Sequence, residues 1–527
     1  MQRPNEPLEP SRLVLETWKQ SDLPDARLYK RLVPTVARML RVLQGPGDGM
    51  PVKDQRAERR GAQRLFDNAR VDAKKLEASA TERLRLTLAA ATIATLVLPH
   101  DTTEVDLHGR FEPDDAGPLR SNHARGYLVH SCVAVNATDG ALLGLVSSKA
   151  WTRSWELRQG DNHSRAPEEK ESRKWRDGIR LALKNLGPLP ATHVLVHAMD
   201  REGHLYENFA FALDHHHLVV VRGRADCNIG EGNGKLWAYM QSRPACEVDG
   251  EPVTWTVHVE NKPAKKKAGA TSPLLPSEIT SAPVKDRKDR ATSATAVPRP
   301  EHEKPVERDA MVTIRHARIT LAPASKSDKG RRGRKPLKLW AVYVRESDPP
   351  ADVEPVEWML LTTCEVQSTE DALHVVDYYR ARWGIEVFHK IFKTGLRMEK
   401  DHLPDLASFQ RLLAVMAPVA SHIARWTHAA RVCPEQLAAP HVEPETIDVL
   451  AEACRMHRLP LPEGPWTIGL VVLRIAQLGG YEPRRDGQPG WLVIWRGWRV
   501  LETFRVTWEH ARARLLGGGP QRGPDTP

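Results

Sequence analysis

Between residues 25 and 44 apolar side chains recur at three- and four-residue intervals, at Leu28, Leu32, Val36, Met39, Leu40 and Leu43, which is the signature of one buried helical face. The opposite face carries Arg27, Lys30, Arg31, Arg38 and Arg41. Pro34 lies inside this run and predicts a kink or an early end, because its ring removes a backbone donor. After the Gly45-Pro46-Gly47 break, a second helical pattern runs from about Asp54 to Asp67 with Arg56, Arg59, Arg60 and Arg64, and a third begins near Val71. Residues 1–80 thus read as a small basic helical module, a shape suited to DNA and also to any solvated bundle face.

From about Ala90 the pattern changes to short apolar runs bounded by turns. Ala94 to Leu98, Gly126 to Val135, Ala141 to Val146, His193 to Met199 and Leu218 to Val221 predict strands, with a helix from about Lys170 to Lys184 before the fourth. Strands in succession, then a helix, then further strands predict a mixed α/β sheet. Residues 261–309 are rich in Pro, Lys, Ser, Ala and Thr without hydrophobic periodicity, the composition of an extended linker. Strand texture resumes at Met311 to Leu321, Leu339 to Val344 and Trp358 to Thr362. A long helix is predicted from Thr369 to Lys393, and further helices over Ser408 to Arg431, Pro444 to Met456 and Thr467 to Leu478.

The chain has 527 residues and is 41% hydrophobic, enough for roughly three or four domains. No stretch approaches the ~20 apolar residues of a membrane span, and Met1 to Pro10 is polar, so cytoplasmic residence without membrane association is expected. The six cysteines are scattered singly, with no C-x-x-C pair for zinc or redox chemistry. A net charge of +10 favours a polyanionic partner, since neutralised phosphates release counterions. Lys265-Lys266-Lys267 and the run Lys329 to Lys335 could follow a DNA backbone or stay solvated. His215-His216-His217 has no second cluster at ligand spacing and reads as a solvated turn.

The most informative positions are Tyr379, Arg382, Glu386 and Lys393 on the long predicted helix. At ~100° per residue their azimuths are roughly 0°, 300°, 340° and 320°, so they share one face. Such a stripe stabilises many helices by pairs such as Arg382 with Glu386. It also suits a phosphodiester site, in which a carboxylate holds a divalent metal and cations grip phosphates. Asp101 follows the apolar run Thr95 to Leu98, and Asp200 ends the run His193 to Met199. Two aspartates and a glutamate from separate elements could hold a pair of Mg²⁺ ions, with Mn²⁺ as a substitute. Asp106 competes with Asp101 for this role, and Asp226 with Asp200; single aspartates at such places are commonly turn or cap residues.

The string Tyr379, Arg382, Trp383, Ile385, Glu386, Phe388, His389, Lys390, Lys393, Thr394 and Gly395 resembles the tyrosine-arginine-glutamate-lysine signature of bacterial cut-and-paste transposases of the insertion-sequence-four family. Further similarities follow in order: Asp101-Thr102-Thr103, Arg125-Gly126, Val129-His130-Ser131, Lys170-Glu171-Ser172 with Trp175, Asp200-Arg201-Glu202, Leu360-Leu361-Thr362, Arg474 to Gly480, and Trp495-Arg496-Gly497-Trp498. The resemblance implies an α/β, ribonuclease-H-like catalytic core (81–224 and 366–404), with Asp101, Asp200 and Glu386 as the catalytic, metal-holding triad. It implies a β-rich insertion over 225–365, an N-terminal DNA-binding domain, and a helical dimerisation domain over 405–527. Tyr379, Arg382 and Lys393 would grip phosphates, and Arg201, Arg222 and Arg224 would lie near the transposon end. Arg38 and Arg60 are the expected contacts of the N-terminal module. Trp358 matches an aromatic that stacks on a flipped base during hairpin formation, or else is a core tryptophan of the insertion.

The implied activity is excision through a hairpin intermediate and joining of 3′ ends to target DNA, by a homodimer on inverted repeats in the bacterial nucleoid. The alternatives are an inactive, domesticated relative that binds transposon ends or inhibits an active subunit, and a metal nuclease without strand transfer. Departures from the family pattern are Gly384 within the signature helix, Pro34, and His100 where relatives often carry an acid.

Overall fold

The apolar runs assemble into one mixed sheet of ten strands. The strands along the chain are β1 (Thr95–Asp106), β2 (Gly117–Pro118), β3 (Arg125–Asn136), β4 (Leu142–Trp151), β5 (Val194–Met199) and β6 (Leu218–Arg222), followed by a small hairpin, β7 (Glu247–Val248) with β8 (Glu251–Pro252). Next come β9 (Thr254–Glu260), β10 (Glu307–Leu321), β11 (Leu337–Glu346) and β12 (Glu357–Thr362). The spatial order is β3, β1, β5, β6, β12, β11, β10, β9, with β2 and β4 both on the outer edge of β3. The parallel pairings are β1 with β5 and β5 with β6. The structure, a computed structural model, describes residues 12–42, 60–90, 93–107, 113–120, 124–155, 168–190, 192–230, 234–248, 251–260, 307–323, 335–350, 353–400, 403–483 and 489–515. Arg56, Arg59, most of the linker with Lys265-Lys266-Lys267, and residues 329–334 of the second basic run lie outside them.

One strand expectation changes. β1 does not stop at Leu98, because β3 supplies hydrogen-bonding partners as far as the pair Asp106 and Gly126. A polar sequence stays in a strand when a neighbour satisfies its backbone. The expected insertion over 225–365 is continuous with the sheet, since β12 pairs directly with β6 through Leu361 and Val221.

The helices are α1 (Arg12–Thr17), α2 (Ala26–Val42), α3 (60–66), α4 (Ala73–Ala90), α5 (Lys174–Leu186), α6 (Tyr206–Asp214), α7 (Leu236–Gln241), α8 (Thr369–Ala381), α9 (Trp383–Lys390), α10 (Leu406–Val432), α11 (Pro444–Met456), α12 (Ile468–Leu478) and α13 (Trp491–Leu515). Pro34 neither ends nor shortens α2, which continues to Val42; next to it the Thr35 hydroxyl donates to the Arg31 carbonyl at 2.9 Å. Trp18, Leu32, Val36, Leu65 and Phe66 bury the apolar faces of the N-terminal helices. Arg411 of α10 donates to the Phe66 and Val71 carbonyls at 3.0 and 2.9 Å, tying these helices to the C-terminal ones.

The expectation that no stretch is apolar enough to span a membrane is also corrected. α10 passes by length and composition, and 72% of its most apolar window is buried within the protein. Hydropathy records a need for burial and does not say which surroundings meet it.

The two sheet faces are covered by different helices. Val97, Val129, Val133 and Val135 pack with Ile385 and Phe388 of α9, while Leu96, Leu98, Cys132 and Ala134 pack with Ala182 and Leu186 of α5. Beneath α5 lie three buried histidines: His100 Nε2 and His197 Nδ1 are 2.9 Å apart, and His130 Nδ1 meets the Thr102 hydroxyl at 2.9 Å. Burial pushes His100 and His197 far below the ordinary imidazole value; burial and the Lys174 charge bring His130 down to about 3.

α5 passes so close to these rings that only glycine fits at 178. A Cβ there would stand 2.5 Å from His130 Nε2 and 3.0 Å from His100 Nδ1. Gly178→Ala is therefore expected to lower the unfolding free energy by about 1–3 kcal/mol, although alanine favours helix by ~1 kcal/mol. Urea denaturation would check it; an unchanged midpoint would show that the rings yield freely.

Candidate active site

The parallel pairing of β1 with β5 decides where the aspartates stand. Leu98 lies opposite His197 and Pro99 opposite Ala198, so the same register two residues further on sets Asp101 beside Asp200. Neighbouring strands are about 4.8 Å apart. Asp101 is inside β1, at the point where β5 has ended and no longer covers that side, rather than in the loop expected from the sequence. Asp200 caps the short turn Arg201–Gly203, its carboxylate accepting the Glu202 N–H at 2.8 Å.

The two carboxyls differ electrically. Burial raises the Asp101 pKa, but His389, with Nδ1 at 3.5 Å from Oδ2, the Arg382 charge and the Thr102 N–H at 2.7 Å hold it below the ordinary value. For Asp200, burial again comes first and prevails, reinforced by the negative charge of Asp101, so its pKa is raised.

Glu386 is carried on α9 and joins the site through Arg382. The predicted single helix is divided at Arg382, where the chain turns between α8 and α9 through tight bonds from the Arg382 N–H to the Tyr379 carbonyl and from the Ile385 N–H to the Arg382 carbonyl, both 3.1 Å. It ends in a wider π-turn over Ile391–Gly395. Gly384 is explained by proximity: a Cβ there would lie 2.9 Å from Val135 Cγ2 on β3. Phe388, Ile391 and Phe392 are buried and pack the helix down, whereas Trp383 is 67% exposed.

Arg382 is the common neighbour of the three acids. Its Nη2 donates to Glu386 Oε1 at 3.0 Å, and its charge lowers the pKa of both Asp101 and Asp200. Burial opposes the guanidinium charge, but Tyr379, Glu386 and Asp101 outweigh it and raise its pKa.

Tyr379 stacks beneath Arg382, with the guanidinium 5.8 Å from its ring, and meets Trp358 edge-on at 5.6 Å. Half-buried Trp358 therefore rests on Tyr379 at the margin of a core cluster. Arg222 also interacts with Tyr379 and donates to the Glu357 carbonyl at 3.1 Å, and the Arg201 charge bears on it. Tyr379, Arg382, Trp358 and Arg222 thus gather around the carboxylates.

The other expected contacts stand further out. Within the π-turn, Lys393 donates to the Glu104 carbonyl at 2.7 Å and pairs with Glu399 at 3.1 Å, so it adjoins β1. Arg224 is exposed, its N–H donating to His204 Nδ1 at 3.0 Å. Arg60 is exposed on α3, and Arg38 lies on α2 with its side chain outside the described set.

The rival residues have structural roles. Asp106 is exposed, five residues along β1 from Asp101, and its N–H donates to Glu399 at 3.2 Å. The Asp226 carboxylate accepts the Trp237 N–H at 3.0 Å, capping α7. His215 contacts the Phe211 carbonyl through Nδ1 at 2.9 Å and stacks on His217.

Three hard carboxylates around a cleft fit a divalent ion in chemistry. In arrangement they are incomplete: among the described residues no three ligating side chains are grouped to hold a metal, because Glu386 is turned to Arg382. The expected closed triad is thus a pair of aspartates plus a third acid engaged by a guanidinium. The sequence had a signal for one overlooked member, His389, which lies three residues after Glu386 and so one turn along the same helix.

A ring of ion pairs beside Asp200 carried no such signal. Arg153 pairs with Glu104 at 3.0 Å and with Glu171 at 2.6 Å; Lys174 pairs with Glu171 at 3.6 Å and with Glu202 at 3.3 Å. Arg120 pairs with Glu202, and its N–H donates to Glu104 at 3.1 Å, closing the ring. No protein-family model matches the chain.

The unequal carboxyls predict opposite effects. With its pKa raised by folding, ionised Asp200 opposes folding above the ordinary carboxylate pKa; Asp200→Asn should raise the melting temperature at neutral pH, and the gain should vanish in acid. Asp101 stabilises the fold above that pKa and loses this as pH falls through its lowered value, so Asp101→Asn should lower the melting temperature at neutral pH. Calorimetry in EDTA at neutral and acid pH would check both; shifts of the same sign would refute the assignment.

Proposed function

We propose that the protein is a metal-dependent DNA transposase of the acidic-triad type, resembling the insertion-sequence-four family and, within it, most like the transposase of transposon five. The observation that carries this is the setting of Asp101, inside β1, beside Asp200, the residue just past the end of the parallel strand β5, with Glu386 paired to Arg382. The strand order supports it: an antiparallel β1-β3-β4 meander, followed by β5 and β6 parallel to β1, is the order of a ribonuclease-H-like core. We assign the N-terminal helices to DNA binding, β9 to β12 to an insertion in that core, and the helices from α10 onward to homodimerisation.

In this reading Asp101, Asp200 and Glu386 would hold Mg²⁺ or Mn²⁺. When bound, a pair of such ions activates water or a 3′-hydroxyl and stabilises the leaving oxygen at phosphorus. The chain supplies the positioning. His389 and the Thr102 N–H fix the rotamer of Asp101, and the Glu202 N–H fixes that of Asp200. Arg382 and Arg222 present cations to the phosphates flanking the scissile bond. Tyr379 orients both, and Trp358 offers a ring face to a base unstacked when a hairpin closes. Lys393, Arg201 and Arg224 extend this basic surface, and the substrates are inverted-repeat ends and target DNA.

Incubation with the flanking inverted repeats and Mg²⁺ should yield nicked, hairpinned and joined products. Glu386→Ala should suppress all three by several orders of magnitude while end binding persists; retained cutting would refute the triad. Tight end binding by the wild-type protein with no cutting is the outcome expected of an inactive, domesticated relative.

For the N-terminal module, Arg60→Ala should reduce the slope of log affinity against log salt by roughly one unit, the value for one phosphate contact. Arg38→Ala should do the same. An unchanged slope would remove the residue from the interface.

A further inference from the structure

A cleft that shares no residue with the candidate active site opens where α4, β4 and α10 meet. Arg83 of α4 and Arg425 of α10 both line it, with His422 one turn before Arg425 on the same helix face. Arg83 is paired to Glu16 of α1. The Arg425 side chain makes no hydrogen bond or ion pair among the described residues, and it is exposed, so an incoming ion can reach it. Although the residue as a whole is exposed, its pKa is lowered, first by burial of part of its surface and then by the Arg83 charge, which Glu16 offsets only in part.

The other titratable groups leave this cationic excess standing. Burial, then Arg425 and Arg83, bring His422 down to about 4, and burial with the Arg425 charge lowers His441, so both rings are uncharged at neutral pH. Glu77, an acid that lines the cleft, is pushed up to about 7 by burial, with the Ser148 hydroxyl donating to it at 3.4 Å. Near neutrality it therefore carries only part of its charge. The hydroxyls of Thr81, Thr87 and Ser421 donate to carbonyls of their own helices at 2.9, 3.0 and 3.0 Å, so recognition falls to the guanidiniums.

We propose that this cleft binds a phosphate-type oxyanion, gripped by Arg425 from α10 and by Arg83 from α4. A guanidinium offers paired, planar donors that match phosphate oxygens, and a tetrahedral anion turns oxygens toward both helices at once. Because α4 belongs to the N-terminal helices, β4 to the sheet and α10 to the C-terminal helices, the bound anion fastens three parts of the chain together. Free orthophosphate and the backbone of DNA offer the same chemistry. The site is separate from the three carboxylates and does not rest on the transposase reading.

The test is titration of the full chain with orthophosphate in EDTA at neutral pH, followed by the ring-carbon magnetic resonances of His422 and His441, assigned with His422→Gln and His441→Gln. His422 lies one turn from Arg425 and His441 feels its charge, so these signals report this cleft rather than another basic surface. Wild type should show a saturable shift. Arg425→Gln should raise its midpoint concentration roughly tenfold, the scale of one charge-assisted hydrogen bond. Sodium chloride at equal ionic strength should give no saturable shift. A short duplex that displaces the orthophosphate identifies the DNA backbone as the source of the anion; orthophosphate that stays bound beside the duplex identifies a free phosphate.

No saturable shift in wild type, an unchanged midpoint in Arg425→Gln, or a response that chloride reproduces would overturn the proposal. If Arg425→Gln does not fold, Glu77→Gln decides the question. With the opposing acid removed it should bind orthophosphate severalfold more tightly above neutral pH, and equal or weaker binding there would sink the site.

Discussion

Two carboxylates one strand spacing apart repel each other, and the surroundings of the candidate site are organised around that repulsion. Asp101 and Asp200 cannot move apart, because the β1–β5 register fixes their backbones. What varies is the compensation each receives. Asp101 has His389 and the Thr102 N–H, whereas Asp200 has one backbone N–H and the more distant Arg382, so the cost of charge falls on Asp200. Perturbed carboxyls gather at functional sites and also within structural ion-pair networks.

The compensating charge depends on how closely α9 approaches the sheet. Gly384 lets the helix lie on Val135, and the turn at Arg382 redirects the chain so that the guanidinium can lie between Glu386 and the aspartates. The far end of the helix is fixed from the C-terminal region: Trp495 of α13 covers Gly395, where a Cβ would meet the indole at 1.9 Å. On the other side, the ion-pair ring from Glu104 to Arg120 ties the Asp200 turn back to β1. Exposed ion pairs contribute little singly, but Lys174, only 9% exposed, joins two of these glutamates and gives the ring a buried anchor.

The histidines beneath α5 show how far the interior of this core departs from a simple apolar one. His100 follows the strand alternation that sends Leu96 and Leu98 to the same face, and it is neutral there, paired to His197. An acid at that position would face His197, His130 and the Gly178 surface of α5, so a neutral imidazole is the better fit to this packing.

The sequence by itself determined the elements and the chemical candidates. Alternation and apolar runs located β1, β3, β5, β6 and β10 to β12, and heptad-like spacing located α2 and α10 to α12, because these patterns are local consequences of which face must be buried. The same local logic left Asp101, Asp200 and Glu386 among rivals such as Asp106 and Asp226, and it was the family resemblance that singled them out. Only the tertiary structure decided that β1 continues past Asp101, since the partner that keeps it extended is the distant β3, which pairs Asp101 with Ser131 and Asp106 with Gly126. Only packing decided that the signature helix bends at Arg382 and widens after Lys390, that Lys393 meets Glu104 and Glu399, and that Trp383 faces outward. An ideal helical wheel assumes constant rotation per residue, and contacts with β3 and α13 break that assumption. The pairing of Glu386 with Arg382 was visible as an i, i+4 spacing. That this guanidinium also serves two aspartates from distant strands could be known only once the sheet had brought them together.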